Sequence, residues 1–291
     1  MPERQNEHYL QIAGPQATLS AILHDAAGDT GVLLLVGGPQ YRVGSHRQFV
    51  KLARHLARQG IPTLRLDSQG MGDASGDKTE FYQLDDDIRL ALDHFFSRCA
   101  GLKRVVLWGL CDAASAAMLY LNNQDARIGG AILLNPWVRQ QQSHAQTMLK
   151  HYYWQRLFSR AFWRKLFGGD VRWGASIKAL LGTVKASRQQ QAGGKKQTQQ
   201  QANAENYVQL MLQGGSQFSA KLMLITSGND LTAQEFLDLC QQDASWQQLL
   251  HKAEHLHISD ANHTFATATW RTQVEQASCH FIQQHFYSTL E

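Results

Sequence analysis

The sequence predicts an α/β fold with one mostly parallel, eight-stranded sheet flanked by helices. Two observations predict it. Short runs rich in Val, Ile and Leu alternate with segments of helical period through most of the chain, and that alternation gives right-handed crossovers and a sheet covered on both faces. Loops carrying Gly, Cys, Asp and His follow several of these runs, at the carboxyl ends of strands where such sheets bind ligands.

Each element has its own signal. Tyr9–Ile12 and Thr18–His24 read as an antiparallel pair at the sheet edge. Gly31–Val36 is a buried strand ending in Gly37-Gly38-Pro39. Ser45 is expected to cap a helix running to about Gln59, with Phe49, Leu52, Ala53 and Leu56 on one face. Ile61–Leu66 is the next strand, followed by the glycine-rich loop Asp67–Gly76 and a helix from Leu84 to Arg98. Arg104–Trp108 is a strand, Asp112–Asn122 a helix and Gly130–Leu134 a strand. Lys221–Thr226 and His255–Ile258 complete the sheet, and Thr269–Phe286 is the closing helix. Between about residues 137 and 217 the alternation breaks. This stretch is expected to be a cap inserted in a single domain spanning 1–291, with a mobile glutamine-rich loop over about 188–203.

Composition narrows the function. A chain of 291 residues with 43% hydrophobic and 18% charged residues can bury a large core. No run of about 18 apolar residues occurs, and the polar start lacks the apolar core of a secretory signal, so a cytoplasmic location is expected. The four cysteines are scattered and no zinc-type histidine pattern stands out, so neither a disulfide framework nor a metal or other cofactor is expected. The net charge of +4 is unevenly spread: residues 140–185 hold eight Lys or Arg against Asp170 alone, while the remainder sums to −3. The aromatic, basic segment 148–167 reads either as a cap helix with a solvated basic face or as a surface for an anionic membrane or polysaccharide-system partner. Nucleic acid is not expected, because no reader motif accompanies those charges.

The chemistry centres on Val105-Val-Leu-Trp-Gly109-Leu-Cys111-Asp-Ala113: an apolar strand, a tight turn of small residues, then a helix. This is the setting of the nucleophile elbow G-x-S-x-G of α/β-hydrolases, here with cysteine at the nucleophile and alanine at the last small position. A helix N-terminus favours a thiolate. The alternative is a structural cysteine packing helix on strand. A thiol nucleophile needs a base, and His263 stands after the last strand and before the last helix. The orienting acid should follow the penultimate strand, where Asp230 lies after Gly228; Asp230 could also be only a cap, with Asp260 and Asp238 as weaker substitutes. The chain order of nucleophile, acid and histidine is that of α/β-hydrolases. Oxyanion donors are expected from the backbone N–H of Asp112 and from the loop 37–41. Pro39 has no N–H, so Gln40 is the candidate there. Tyr41, Trp137, Tyr153 and Trp154 are candidates to line the acyl site. Gly37-Gly38 lacks the spacing and the lysine of a phosphate loop.

Asp67-Ser-Gln-Gly-Met-Gly-Asp-Ala-Ser-Gly76 resembles the D-x-x-G-x-G-x-S loop of serine-aminopeptidase-like α/β-hydrolases. The combination of Gly37-Gly-Pro-Gln-Tyr-Arg-Val-Gly-Ser-His46, Gly109-Leu-Cys-Asp-Ala-Ala-Ser115 and His151-Tyr-Tyr with Phe162-Trp-Arg-Lys-Leu166 is similar to the exosortase A system-associated hydrolases, type 1, over about residues 8–287. That resemblance implies a bacterial protein of exopolysaccharide and protein-sorting systems. Ala113 departs from the glycine expected at its position. A cysteine triad on this fold also resembles dienelactone hydrolase, whose substrate nothing else here points to. Three functions follow. The first is hydrolysis of a small-molecule ester or thioester; the second is acyl transfer to a sugar or amine; the third is a non-catalytic binding protein on a hydrolase scaffold.

Overall fold

The computed structural model describes residues 7–38, 40–139 and 201–287. The chain divides into two compact units, residues 1–140 with 202–291, and residues 141–201. Of the expected cap at about 137–217, residues 140–200, with Tyr153, Trp154, the basic segment and most of the glutamine-rich stretch, lie outside the described residues.

The first unit is built on eight strands: β1 (Glu7–Ala13), β2 (Thr18–His24), β3 (Thr30–Leu34), β4 (Thr63–Asp67), β5 (Arg104–Leu110), β6 (Ile128–Leu134), β7 (Lys221–Asn229) and β8 (Glu254–Asn262). They lie in the order β1-β2-β4-β3-β5-β6-β7-β8. β1 and β2 pair antiparallel, as do β2 and β4; every other pairing is parallel. The helices are α1 (Gln48–Arg58), α2 (Asp85–Arg98), α3 (Asp112–Tyr120), α4 (Tyr207–Gln217), α5 (Leu231–Gln242), α6 (Ala244–Lys252) and α7 (Ala268–Phe286).

The two faces of the sheet follow from the alternation of side chains along each strand. Leu33, Leu35, Val105 and Leu107 point to one face, where Ile88 and Leu92 of α2, the alanines of α3, Met211 of α4, Phe236 of α5 and Trp246 of α6 cover them. Val32, Leu34, Val106 and Trp108 point to the other, beneath Phe49, Leu52 and Leu56 of α1 and Val274, Phe281 and Ile282 of α7. Strands buried on both sides carry continuous apolar runs for this reason. The buried Trp108 indole N–H donates to the Ser278 hydroxyl at 3.1 Å, so the one polar atom of that ring is satisfied.

Some element boundaries differ from expectation. Ser45 does not cap α1: residues 45–47 form a 3-10 turn, His46 and Arg47 adopt left-handed backbone (φ 54° and 60°), and α1 begins at Gln48 without a side-chain cap. α4, which falls inside the expected insertion, belongs to the sheet unit and packs on α3. α5 and α6 fill the stretch between β7 and β8, each opened by an aspartate cap, Asp230 and Asp243. No described helix is long and apolar enough to cross a membrane, and among the described residues no group of three or more His, Cys, Asp or Glu is placed to hold a metal ion.

Candidate active site

Cys111 stands between β5 and α3 with φ 64° and ψ −125°. A non-glycine residue held there stores about 1–3 kcal/mol of backbone strain and persists only when its surroundings fix it. Here they do. The Cys111 N–H donates to the Leu134 carbonyl of β6 at 2.8 Å, and its own carbonyl accepts from Ala114 and Ser115 in the first turn of α3. The elbow closes so tightly that a Cβ on Gly109 would lie 2.5 Å from the Ala113 carbonyl group. The glycine two residues before Cys111 is therefore required. Ala113, where the resemblance leads one to expect glycine, is fully buried and the elbow forms around it.

His263 follows β8. Its Nδ1 lies 2.8 Å from Asp230 Oδ2, and the Cys111 side chain acts on the same imidazole, raising it. With Nδ1 taken, Nε2 is the atom left for the sulfur. The bond to Asp230 chiefly, and then Cys111, push the imidazole up to about 10 against the opposing effect of burial. Asp230 also caps α5, accepting from the N–H groups of Thr232 and Ala233 at 3.2 Å each. The cap and the histidine partner are thus one carboxylate rather than alternatives. Neither Asp260, on the rim of a groove between β8 and α7, nor Asp238, within α5, takes this place.

Two residues hold His263 in position that the sequence did not single out. Asn135, at the carboxyl end of β6, is fully buried with φ 43°, a conformation that asparagine tolerates better than most residues. Its amide donates to Ser227 Oγ at 2.8 Å and to the His263 carbonyl at 3.3 Å, while its Oδ1 accepts from the Ser227 N–H at 2.9 Å. Phe265, itself at φ 50°, drives its ring into the core two residues beyond. A polar residue immediately after an apolar strand was the available signal for Asn135. Asn135→Ala leaves the Ser227 groups buried and unpaired, and is expected to cost about 1–3 kcal/mol of stability. Loosened positioning of the imidazole is expected to lower kcat by roughly ten- to a hundredfold; urea unfolding and steady-state kinetics together check this.

The remaining candidates are placed as follows. The Gln40 side chain accepts from the Ser45 N–H at 3.2 Å. Tyr41 is 48% exposed. Trp137 lies beside the elbow: its N–H donates to the Cys111 carbonyl at 3.3 Å, and its carbonyl accepts from the Ser115 hydroxyl at 2.7 Å. Arg139 stacks on the Trp137 ring, with its guanidinium carbon 4.4 Å from the centroid, and pairs with the buried Glu235 at 2.9 Å. Tyr207 donates to the Arg139 carbonyl and packs edge-on against Phe81. Asp112 contributes more than a backbone N–H. Its carboxylate accepts from the Gly38 N–H at 2.7 Å and the Ala113 N–H at 3.0 Å, and burial raises it above the usual carboxylate range.

A parallel sheet with an antiparallel edge, a strained elbow after β5, an acid after β7 and a histidine after β8 define an α/β-hydrolase. The family model described as Hydrolase_4, serine aminopeptidase S33, matches residues 32–235, and the chain belongs to this family. The residue on the elbow between β5 and α3 is a cysteine, Cys111. Solved structures agree on the fold. The esterase Pf2001 of Pyrococcus furiosus is 15% identical with a TM-score of 0.65, covering 97% of this chain and 93% of its own. Est1E of Butyrivibrio proteoclasticus, solved with ferulic acid bound, is 13% identical with a TM-score of 0.60, covering 96% of this chain and 100% of its own. DcsB, solved with a substrate analogue, is 12% identical with a TM-score of 0.62, covering 96% and 100% respectively. No match was found among curated proteins.

Proposed function

We propose that this chain is an acyl hydrolase acting on a small-molecule ester or thioester, with Cys111 as nucleophile, His263 as its proton partner and Asp230 orienting the imidazole. One observation carries the reading: a single imidazole is held at 2.8 Å by a buried carboxylate, and a cysteine on a strained elbow acts on that same imidazole. A structural cysteine needs neither a charged partner nor strain.

In this mechanism the proton rests on His263. The Cys111 thiolate attacks the acyl carbonyl, forming the S–C bond, and the carbonyl electrons move to oxygen. The oxyanion collapses, and the departing alkoxide or thiolate takes the His263 proton. The now neutral His263 draws a proton from water, the hydroxide attacks the thioester, and the Cys111 thiolate leaves as the acid is released. The Asp112 N–H and a donor from loop 37–41, with Gln40 as candidate, hold the oxyanion. Tyr41 and Trp137 line the approach. The exopolysaccharide and exosortase setting, with a cytoplasmic site of action, rests on the resemblance and composition of the sequence. In that setting a sugar or amine acceptor would replace water.

Intact-mass spectrometry after brief exposure to a panel of activated esters and acyl thioesters tests the reading. An acyl adduct is expected on the wild type and not on Cys111→Ala. Equal release of acid by both proteins, with the fold intact, would sink it.

A further inference from the structure

Between the N-terminus of α3 and the loop after β3, backbone N–H groups converge on a space that the proposed mechanism gives to the acyl oxygen. That space holds the side chain of Asp112. Its Oδ2 takes the Gly38 N–H at 2.7 Å and its Oδ1 the Ala113 N–H at 3.0 Å. Gly37 is shaped around it, since a Cβ there would lie 1.8 Å from Asp112 Oδ1. The next loop residue, Pro39, has no N–H to offer instead.

We infer that the Asp112 carboxylate is a resident occupant of the oxyanion pocket, and that an acyl substrate must displace it before Cys111 can be acylated. This rests on the hydrolase reading above. An oxyanion developing at a helix N-terminus draws its stabilisation from the free N–H groups there. A fixed carboxylate that takes the Gly38 and Ala113 N–H groups beside that helix end repels a second anion there. Displacement is a side-chain rotation and changes no covalent bond, but its cost falls on every substrate alike. Only a substrate that gains binding free energy away from the reacting carbonyl can offset it. Asp112 is then a specificity-determining residue. It selects acyl donors with an extended body making contacts beyond the scissile bond, and it disfavours small esters that bring little more than the carbonyl.

The test is pre-steady-state acylation by p-nitrophenyl acetate, a minimal ester, with the Cys111→Ala/Asp112→Ala double variant as blank. Asp112→Ala is expected to acylate about ten- to a hundredfold faster than wild type, the range set by a charge-assisted hydrogen bond that no longer competes. Asp112→Asn is close in size, keeps an acceptor oxygen and loses the charge, and should fall between the two. It also serves should the alanine variant fail to fold. Acylation unchanged or slower in the folded variants overturns the inference and makes Asp112 a support of the loop instead. Failure of the hydrolase reading looks different: no adduct at Cys111 in any variant, including wild type with the full ester and thioester panel.

Discussion

His263→Ala is expected to lower kcat/KM for a small acyl thioester by about a thousandfold or more, the scale on which triad members act together. The same variant should lose the alkaline limb of the pH–rate profile. In the folded protein the imidazole titrates near 10, against an ordinary value of 6.5. It therefore stays protonated through neutrality, and in the proposed mechanism it supplies the leaving group with its proton until the pH approaches 10. The direction for stability follows from the same pair of values. A group whose folded value is raised stabilises the native state fully below the unfolded value. That contribution is lost as pH rises from about 6.5 to about 10. His263 is about one-third exposed, which screens the size of the stability effect without changing its direction. A wild-type profile whose alkaline limb lies near 6.5 would mean that Asp230 and Cys111 do not hold the proton as described.

Asp67→Ala is expected to be the most destabilising single change outside the apolar core, on the order of 3–5 kcal/mol. Asp67 is fully buried at the end of β4. It accepts from the Arg42 backbone at 2.6 Å, from the Arg42 guanidinium, and from the Asp73 N–H at 3.1 Å. Its removal leaves a buried guanidinium whose remaining ion-pair partner among the described residues is the exposed Asp73, and breaks the tie between the loop after β3 and the loop after β4. Asp73→Ala touches the same guanidinium from solvent, where an ion pair contributes less than about 1 kcal/mol. Thermal unfolding of the two variants separates them: a fall of about 5–8 °C for Asp67→Ala, and little change for Asp73→Ala. Equal falls would show that burial is not what gives Asp67 its weight.

The sheet was legible because both of its faces are apolar. Val105-Val-Leu-Trp sends alternate residues to opposite cores, so no polar residue breaks the run. The positions of Cys111, Asp230 and His263 were legible for a different reason: each follows a strand, and the topology carries those strand ends to one edge. Other features were hidden by physics the sequence does not display. α4 contains Gly214-Gly215, each costing about 1 kcal/mol of helix propensity, and packing against α3 overrides that preference. Ser45 has the chemistry of a cap, but the left-handed turn at His46 and Arg47 delays the helix. Sequence assigned Asp112 a role through its backbone N–H. Only coordinates tell which way its side chain turns, and that direction decides which donors remain free.

Asp230 answers to two demands at once. Its two carboxylate oxygens start α5 and also hold His263. A cap of this type contributes about 1 kcal/mol to folding, whether or not any substrate is ever turned over. A descendant of this sequence that lost its chemistry would thus be free to change Cys111 and His263 while folding still favoured an aspartate at 230. Across a set of relatives, the acid would be the last of the three to decay and the poorest guide to activity. If the proposed mechanism holds, the pairing of Cys111 with His263 would mark the working enzymes, and a surviving acid alone would mark only the fold.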